Sequence, residues 1–504
     1  MPPASTRARR TVGQAACVAC VRARPIPGSL TTRILSTHTS PQATVISGGL
    51  TNALWALHPP QTAPPVAARA FGDGSDLLVD RRAERAALAA LNPAGFGAAV
   101  LAHFPGGRLE ELLAMRTLTA DDVAEPTTAA RIAAGLARLH AAGRGLAAAR
   151  SGGGHGGLST APRPVGPGSA AAAHAALFTT MRAWLAMALR IEAVAVSGGA
   201  GKDGKVPPAL ARAAARAATP SPAPLPPGGA LHGLSIPALS AAIDRWEAAT
   251  APLASRCGPA VLCHMDLLPG NIMVEDGVGV GAGEGAGAKA TRGGGPALAN
   301  SSGRPGPAAG KDCAAAAADP AQAPPSPSSS PAPPLLHGPG PGMQFIDFEY
   351  ARPAPRGFDL GNHWCEWAGL DCDWARYPSA ASKAAFAAAY LAEAVRWAAD
   401  GGGGEKGRAG AAAPAAAPPP PSPAAVAALV VEGDAYAQAA HLWWTAWALV
   451  QARVSPIDFD YGAYAASRFA CFEVREDGVR AAVEGLVRAG RARAGWRRAF
   501  CVGR

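Results

Sequence analysis

Two stretches of this chain carry residue types that can do phosphate chemistry. Val261 to Asn271 reads Val-Leu-Cys-His-Met-Asp-Leu-Leu-Pro-Gly-Asn, and a later stretch runs Phe345-Ile346-Asp347-Phe348-Glu349-Tyr350. The first would be an apolar strand delivering a loop with Asp266 and, five residues on, Asn271; the second would be a strand delivering Asp347. Moving a γ-phosphoryl group needs Mg²⁺ to neutralise phosphate oxygens, oxygen ligands to hold the ion, and a carboxylate to orient and accept the proton of the attacking hydroxyl. In the kinase plan those roles fall in chain order to Asp266, Asn271 and Asp347. His-x-Asp-x4-Asn recurs by chance, and its weight here comes from the Ile-Asp-Phe-Glu-Tyr run downstream. No acyl-transfer triad is evident.

These residues resemble the choline/ethanolamine kinase family. Its catalytic segment is typically His-Asn-Asp-Leu-x-x-x-Asn, and its metal segment is Ile-Asp-Phe-Glu-Tyr followed by Arg-Gly-Phe-Asp-x-x-Asn-His. Arg356 to Asp359, with Asn362 and His363, match the second block, whereas Met265 stands where the family usually has Asn. The resemblance covers about 42–145, 177–195, 231–276, 343–398 and 428–480. It implies an α+β, bilobal protein-kinase-like fold, with a small β-rich N-terminal lobe over 41–120 and a larger, mainly helical lobe over 121–490. It also implies ATP-dependent, Mg²⁺-dependent phosphorylation of an amino alcohol, the entry step to phosphatidylethanolamine. Asp266 would then meet the hydroxyl and Asn271 and Asp347 the metal, with His264, Asp359 and Asn362 in structural roles beside them.

The small lobe should position the nucleotide. Thr44 to Leu57 reads as a β-hairpin turning through Ser47-Gly48-Gly49-Leu50-Thr51-Asn52. Glycines there allow backbone N–H groups to approach phosphates, although a Gly-Gly turn is equally an ordinary hairpin turn. Val66 to Gly72 is a strand carrying Arg69, and Asp80 to Leu91 a helix with Glu84, Ala87, Leu88 and Leu91 on one face. A carboxylate on a buried face needs a partner, and the resemblance makes Arg69 and Glu84 the expected pair at the α and β phosphates. Val100 to Leu113 closes the lobe, with Glu110, Glu111, Leu112 and Leu113 as the hinge facing the adenine.

An amine substrate is a cation, held by aromatic faces and a carboxylate. Trp443, Trp444 and Trp447 share one helix, and paired tryptophans are commonly core. The segment is nevertheless similar to the family's substrate helix, which implies a pocket of Tyr350, Glu366, Trp444, Trp447 and Tyr464, with Glu366 opposite the ammonium. Choline-type members tend to add a Tyr after the Glu-Trp pair, where this chain has Ala368-Gly369-Leu370-Asp371. A primary ammonium brings three N–H donors and favours carboxylates over methyl-contacting rings. Ethanolamine is therefore expected over choline. A choline kinase, or a pseudokinase that binds nucleotide or amine without turnover, is the alternative, along with a basic-tailed scaffold.

Composition limits the rest. In a chain of 504 residues, 60 Gly and 48 Pro mark segments that cannot form packed core. They gather in low-complexity linkers at 151–170, 197–229, 277–342 and 401–424. The net charge of +10 comes from scattered Arg rather than a basic stripe with aromatics, so no nucleic-acid partner is expected. Nine Cys without repeated spacing argue against a disulfide framework, and Cys17-x-x-Cys20 is read as incidental. No run of 18 apolar residues suggests a transmembrane segment. Residues 1–40 contain no acid, which is either a disordered arm or an organelle-targeting one on an otherwise cytoplasmic protein. A homodimer is left open.

Overall fold

The computed structural model describes residues 42–46, 52–58, 64–72, 74–143, 170–196, 230–231, 234–256, 259–275, 338–399, 419–455 and 457–492. The arm 1–40 with Cys17 and Cys20, and Ser47, Gly48, Gly49 and Thr51 of the hairpin turn, lie outside the described residues, as do 197–229 and most of the other three linkers.

Alternation of side chains builds the small lobe. Strands β1 (Gln42–Ile46), β2 (Asn52–His58), β3 (Val66–Phe71), β4 (Val100–Phe104) and β5 (Gly107–Glu111) form an antiparallel sheet in the order β1-β2-β3-β5-β4. Trp55, Leu57, Val66, Ala68 and Leu109 fall at alternate positions and bury one common apolar face. The intervening positions 69, 108 and 110 carry Arg69, Arg108 and Glu110 to the other face, where helix α1 (Arg81–Leu91) lies. Helix α1 starts at Asp80, whose carboxylate accepts the backbone N–H groups of Arg82 and Ala83, and it buries Glu84, Ala87, Leu88 and Leu91 as the periodicity predicts.

The remainder is mostly helical. A two-residue strand β6 (Arg116–Thr117) leads into α2 (Ala120–Ala124) and α3 (Pro126–Ala142), followed by the long α4 (Ala170–Val196). A small pair, β7 (Ala230–Leu231) and β8 (Leu234–Ser235), precedes α5 (Ile236–Ala254), in which Leu239, Ile243 and Trp246 are buried as expected from their spacing. Strand β9 (Val261–Cys263) leads into the loop that carries Asp266, β10 (Ile272–Val274) pairs antiparallel with β11 (Met343–Phe345), and β12 (Arg352–Ala354) pairs with β9. Helices α6 (Gly357–Glu366), α7 (Ala380–Ala399), α8 (Pro423–Val454) and α9 (Tyr461–Ala492) complete the lobe. No helix of the described residues is long and apolar enough to cross a membrane.

Three expected linkers end sooner than composition suggested. Ala170 already belongs to α4 and is buried. Residues 338–342 pack onto the body: the Gly338 N–H donates to the Ala94 carbonyl at 2.6 Å, and Arg131 Nη2 donates to the Pro341 carbonyl at 2.8 Å. Gly338, Gly340 and Gly342 all adopt positive φ, so these glycines form a built turn rather than the end of a low-complexity tract. Likewise Ser422 caps α8 by accepting the Ala425 N–H, so helix begins inside the 401–424 tract.

Helix α8 crosses α6 at backbone contact. A Cβ at Gly361 would sit 2.3 Å from the Ala437 nitrogen and from the Gly433 carbonyl oxygen. Because backbone cannot swing aside as a side chain can, Gly361→Ala should destabilise the chain by about 3 kcal/mol or more. Urea unfolding at unchanged m-value measures it; an unshifted midpoint would show that the helices separate freely.

Candidate active site

The loop that carries Asp266 is held from behind. Asp359 on α6 accepts the backbone N–H groups of His264 at 2.7 Å and Met265 at 2.8 Å, and lies 2.9 Å from His140 Nε2. Burial acts to raise Asp359, but the bond to His140 and the neighbouring histidine charges outweigh it and hold the carboxylate below its usual range. His264 Nε2 donates to the Ile346 carbonyl at 2.8 Å, while its Nδ1 accepts the Asp266 N–H at 3.3 Å. One imidazole nitrogen therefore joins the loop to the residue after β11, and the other braces the loop from within. Met265 adopts φ 73°, a conformation that strains a residue with a Cβ.

Asp266, Asn271 and Asp347 come together as the spacing suggested. Asn271 Nδ2 donates to the Asp266 carbonyl at 2.8 Å and to its Oδ2 at 3.3 Å, leaving the amide oxygen for another ligand. The Asn271 carbonyl accepts the Ile346 N–H at 2.9 Å, which sets Asp347 beside it in a left-handed turn at φ 65°. Burial, followed by the charges of Glu366, Asp347 and Glu349, pushes Asp266 well above the usual carboxylate range, with the Asn271 bond acting the other way. In Asp347 burial acts upward, but Arg69 prevails and holds the group low.

The expected pairing of Arg69 with Glu84 does not form. Arg69 donates through Nε to Glu110 at 2.9 Å and through Nη1 to both oxygens of Asp347 at 3.1 Å. Glu84 is taken by Arg108 and by Arg81 Nη1, the latter at 2.9 Å. The register explains this: Arg69 sits opposite Arg108 across β3 and β5, so two guanidinium groups share one sheet face and divide the acids between them. Arg81 also bridges Glu349 at 3.0 Å and the Asn52 side-chain oxygen at 3.0 Å. Glu110, grouped above with the hinge, is a buried member of this network between Arg69 and Arg108. Glu111 is exposed and Leu112 half-buried where the chain leaves β5. The Arg108-x-Glu110 alternation was a visible signal for the network.

The predicted aromatic residues also meet. Trp447 Nε1 donates to the Tyr350 hydroxyl at 2.8 Å, and Trp444 Nε1 to Asn362 Oδ1 at 2.7 Å. Ring centroids lie 5.6 Å apart for Tyr350 and Trp444 and 5.3 Å apart for Trp444 and Trp447, both edge to face. Tyr461 joins them at 5.7 Å from Trp447. Glu366 is paired with Arg468 at 3.2 Å, and Tyr464 lies under the same guanidinium. Arg468 was not singled out from sequence; the i, i+4 spacing puts it on the helix face of Tyr464 but says nothing of Glu366.

The family model described as choline/ethanolamine kinase matches residues 43–473. This chain belongs to the choline/ethanolamine kinase family. It is 36% identical over 122 residues to a probable ethanolamine kinase of Arabidopsis thaliana, covering 24% of this chain and 27% of that protein. It is 33% identical over 136 residues to a human choline/ethanolamine kinase, covering 25% and 30%. The matched segments thus span about a third or less of these relatives' length. Among solved structures, a Plasmodium vivax ethanolamine kinase superposes with a TM-score of 0.52 at 18% identity, over 87% of this chain and 84% of that one. A Cryptosporidium parvum choline kinase gives 0.50 at 15% identity, over 94% and 97%. The fold is accordingly the bilobal, protein-kinase-like one expected.

Within this choline/ethanolamine kinase fold, His363 ties α6 to the loop that carries Asp266. Its Nδ1 donates to the Leu267 carbonyl at 2.9 Å and its Nε2 accepts the Trp367 indole N–H at 3.4 Å, which only the neutral ring can do. Burial pushes its pKa down to about 4. An unfolded histidine titrates near 6.5, so between about 6.5 and 4 the unfolded chain binds a proton that the folded chain refuses. Stability is unaffected above that window and falls through it, by about 3 kcal/mol in total. Thermal unfolding against pH should show this slope, and His363→Gln should flatten it; identical slopes in both proteins would refute the assignment.

Proposed function

We propose that this choline/ethanolamine kinase family member transfers the γ-phosphoryl group of ATP to the hydroxyl of a small amino alcohol, ethanolamine in preference to choline. The observation that carries this is the junction of two halves. Asp266, Asn271 and Asp347 lie together, Asp347 opens the turn that carries Tyr350, whose hydroxyl accepts the Trp447 indole N–H at 2.8 Å, and Asp266 feels the charge of Glu366. A cation held among those rings places a hydroxyl two carbons away within reach of a carboxylate that can accept its proton.

The donor set suits a hard divalent cation. Asn271 offers an amide oxygen, and oxygens of Asp347, Glu84 and Glu349 lie within 4.8 Å of one another. Magnesium held there by Asn271 and Asp347 would supply charge neutralisation at the phosphate oxygens. Asp266 orients the substrate hydroxyl and accepts its proton. Arg69 holds Asp347 in place and brings a positive charge to the phosphate side, with Asn52 and Arg81 bracing Glu349. Ethanolamine is favoured because the Glu366 carboxylate can accept the N–H donors of a primary ammonium, which a trimethylammonium group lacks.

The test is the initial rate of ATP-dependent phosphate transfer to ethanolamine and to choline. Higher kcat/KM for ethanolamine supports the proposal, and preference for choline overturns its substrate. Nucleotide binding without turnover of either amine would make the chain a pseudokinase.

A further inference from the structure

Glu366 already has a cation. Arg468, wholly buried on α9, donates from Nη1 to Glu366 Oε1 at 3.2 Å, and no described residue donates to Oε2. The same guanidinium lies 5.6 Å from the Trp374 ring centroid and 5.7 Å from that of Tyr464. Its Nε and Nη2 reach no hydrogen-bond partner among the described residues. Burying a guanidinium with two nitrogens unpaired is costly, and a well-packed apolar residue would serve stability better. Glu366 is itself 3% exposed, and burial raises it even with Arg468 beside it. Without Arg468 the charged form of Glu366, the form that attracts a cation, would be disfavoured further.

We infer that Arg468 is a positioning residue for the amine subsite: it anchors Oε1 of Glu366, leaves Oε2 for an ammonium N–H, and thereby selects a primary over a quaternary amine. This rests on the amino-alcohol phosphorylation proposed above. With Arg468 on one oxygen, the pair has little net charge to offer. An incoming cation must therefore gain its affinity from a directed bond to Oε2. A primary ammonium has three N–H donors for that bond, and a trimethylammonium group has none.

The experiment compares the full chain with Arg468→Met and Arg468→Lys, measuring kcat and KM for ethanolamine and choline, with nucleotide-induced thermal shift as the check that each variant folds. Arg468→Met should raise KM for ethanolamine about tenfold or more, the worth of one charge-assisted hydrogen bond, with kcat within about threefold. The ethanolamine to choline ratio of kcat/KM should fall with it. Arg468→Lys keeps a charge without the fixed fork and should recover part of both. If Arg468→Met does not fold, Arg468→Lys alone decides, since its ratio must fall below that of the unsubstituted chain. An unchanged ratio in a folded variant, or equal loss for both amines, overturns this inference alone. No turnover of either amine by the unsubstituted chain overturns the underlying function and this inference with it.

Discussion

Asp266→Asn should lower kcat about a thousandfold while leaving the KM for ATP nearly unchanged, the loss typical when a positioned proton acceptor is removed. The same substitution should not destabilise the fold. Burial and the charges of Glu366, Asp347 and Glu349 all disfavour the ionised form of Asp266. Replacing it with a neutral isostere removes that penalty, so the melting temperature should stay level or rise. The Asn271 side chain keeps its stronger bond, to the Asp266 backbone carbonyl at 2.8 Å, whichever side chain is present. Paired measurement of turnover and thermal unfolding tests both halves. Retained activity would remove Asp266 from the chemistry, and a large fall in melting temperature would show that its role is structural.

What the sequence made legible was local. Glu84, Ala87, Leu88 and Leu91 mark the buried face of α1, which forms as read, and the helix starts one residue after Asp80, which caps it. The order of strand, Asp266, Asn271, strand, Asp347 also follows from neighbouring residues, because the intervening hairpin closes through β10 and β11 whatever lies between them. Choice of partner was not legible. Whether Glu84 pairs with Arg69 or Arg108 depends on the register between β3 and β5, which places two arginines side by side. Arg468 reaches Glu366 across 102 residues of chain, through the packing of α9, and no local pattern specifies that distance. Composition misled at 338–342, since the same glycines that signal an unpacked tract are what a turn with three positive φ values requires.

Met265, the departure from the usual family segment, explains why Asp359 should be the most sensitive position outside the chemistry itself. A side chain at φ 73° is strained, and the loop keeps that shape because Asp359 accepts the N–H groups of both His264 and Met265. The carboxylate is wholly buried, and His140 Nε2 completes its contacts at 2.9 Å. An amide in its place keeps one acceptor oxygen and turns an NH₂ toward groups that are themselves donors. Asp359→Asn should therefore cost about 3–5 kcal/mol, the usual loss when one member of a buried charged network is removed. Activity should fall with stability, because the freed loop carries Asp266. Urea midpoints give the first effect, and single-turnover rates at a urea-free temperature well below melting give the second. A variant with normal stability would show that the strand pairing of β9 with β12 holds the loop unaided. Normal turnover in a destabilised variant would separate the support of the loop from its chemistry, and place the control of Asp266 in His264 and Asn271 instead.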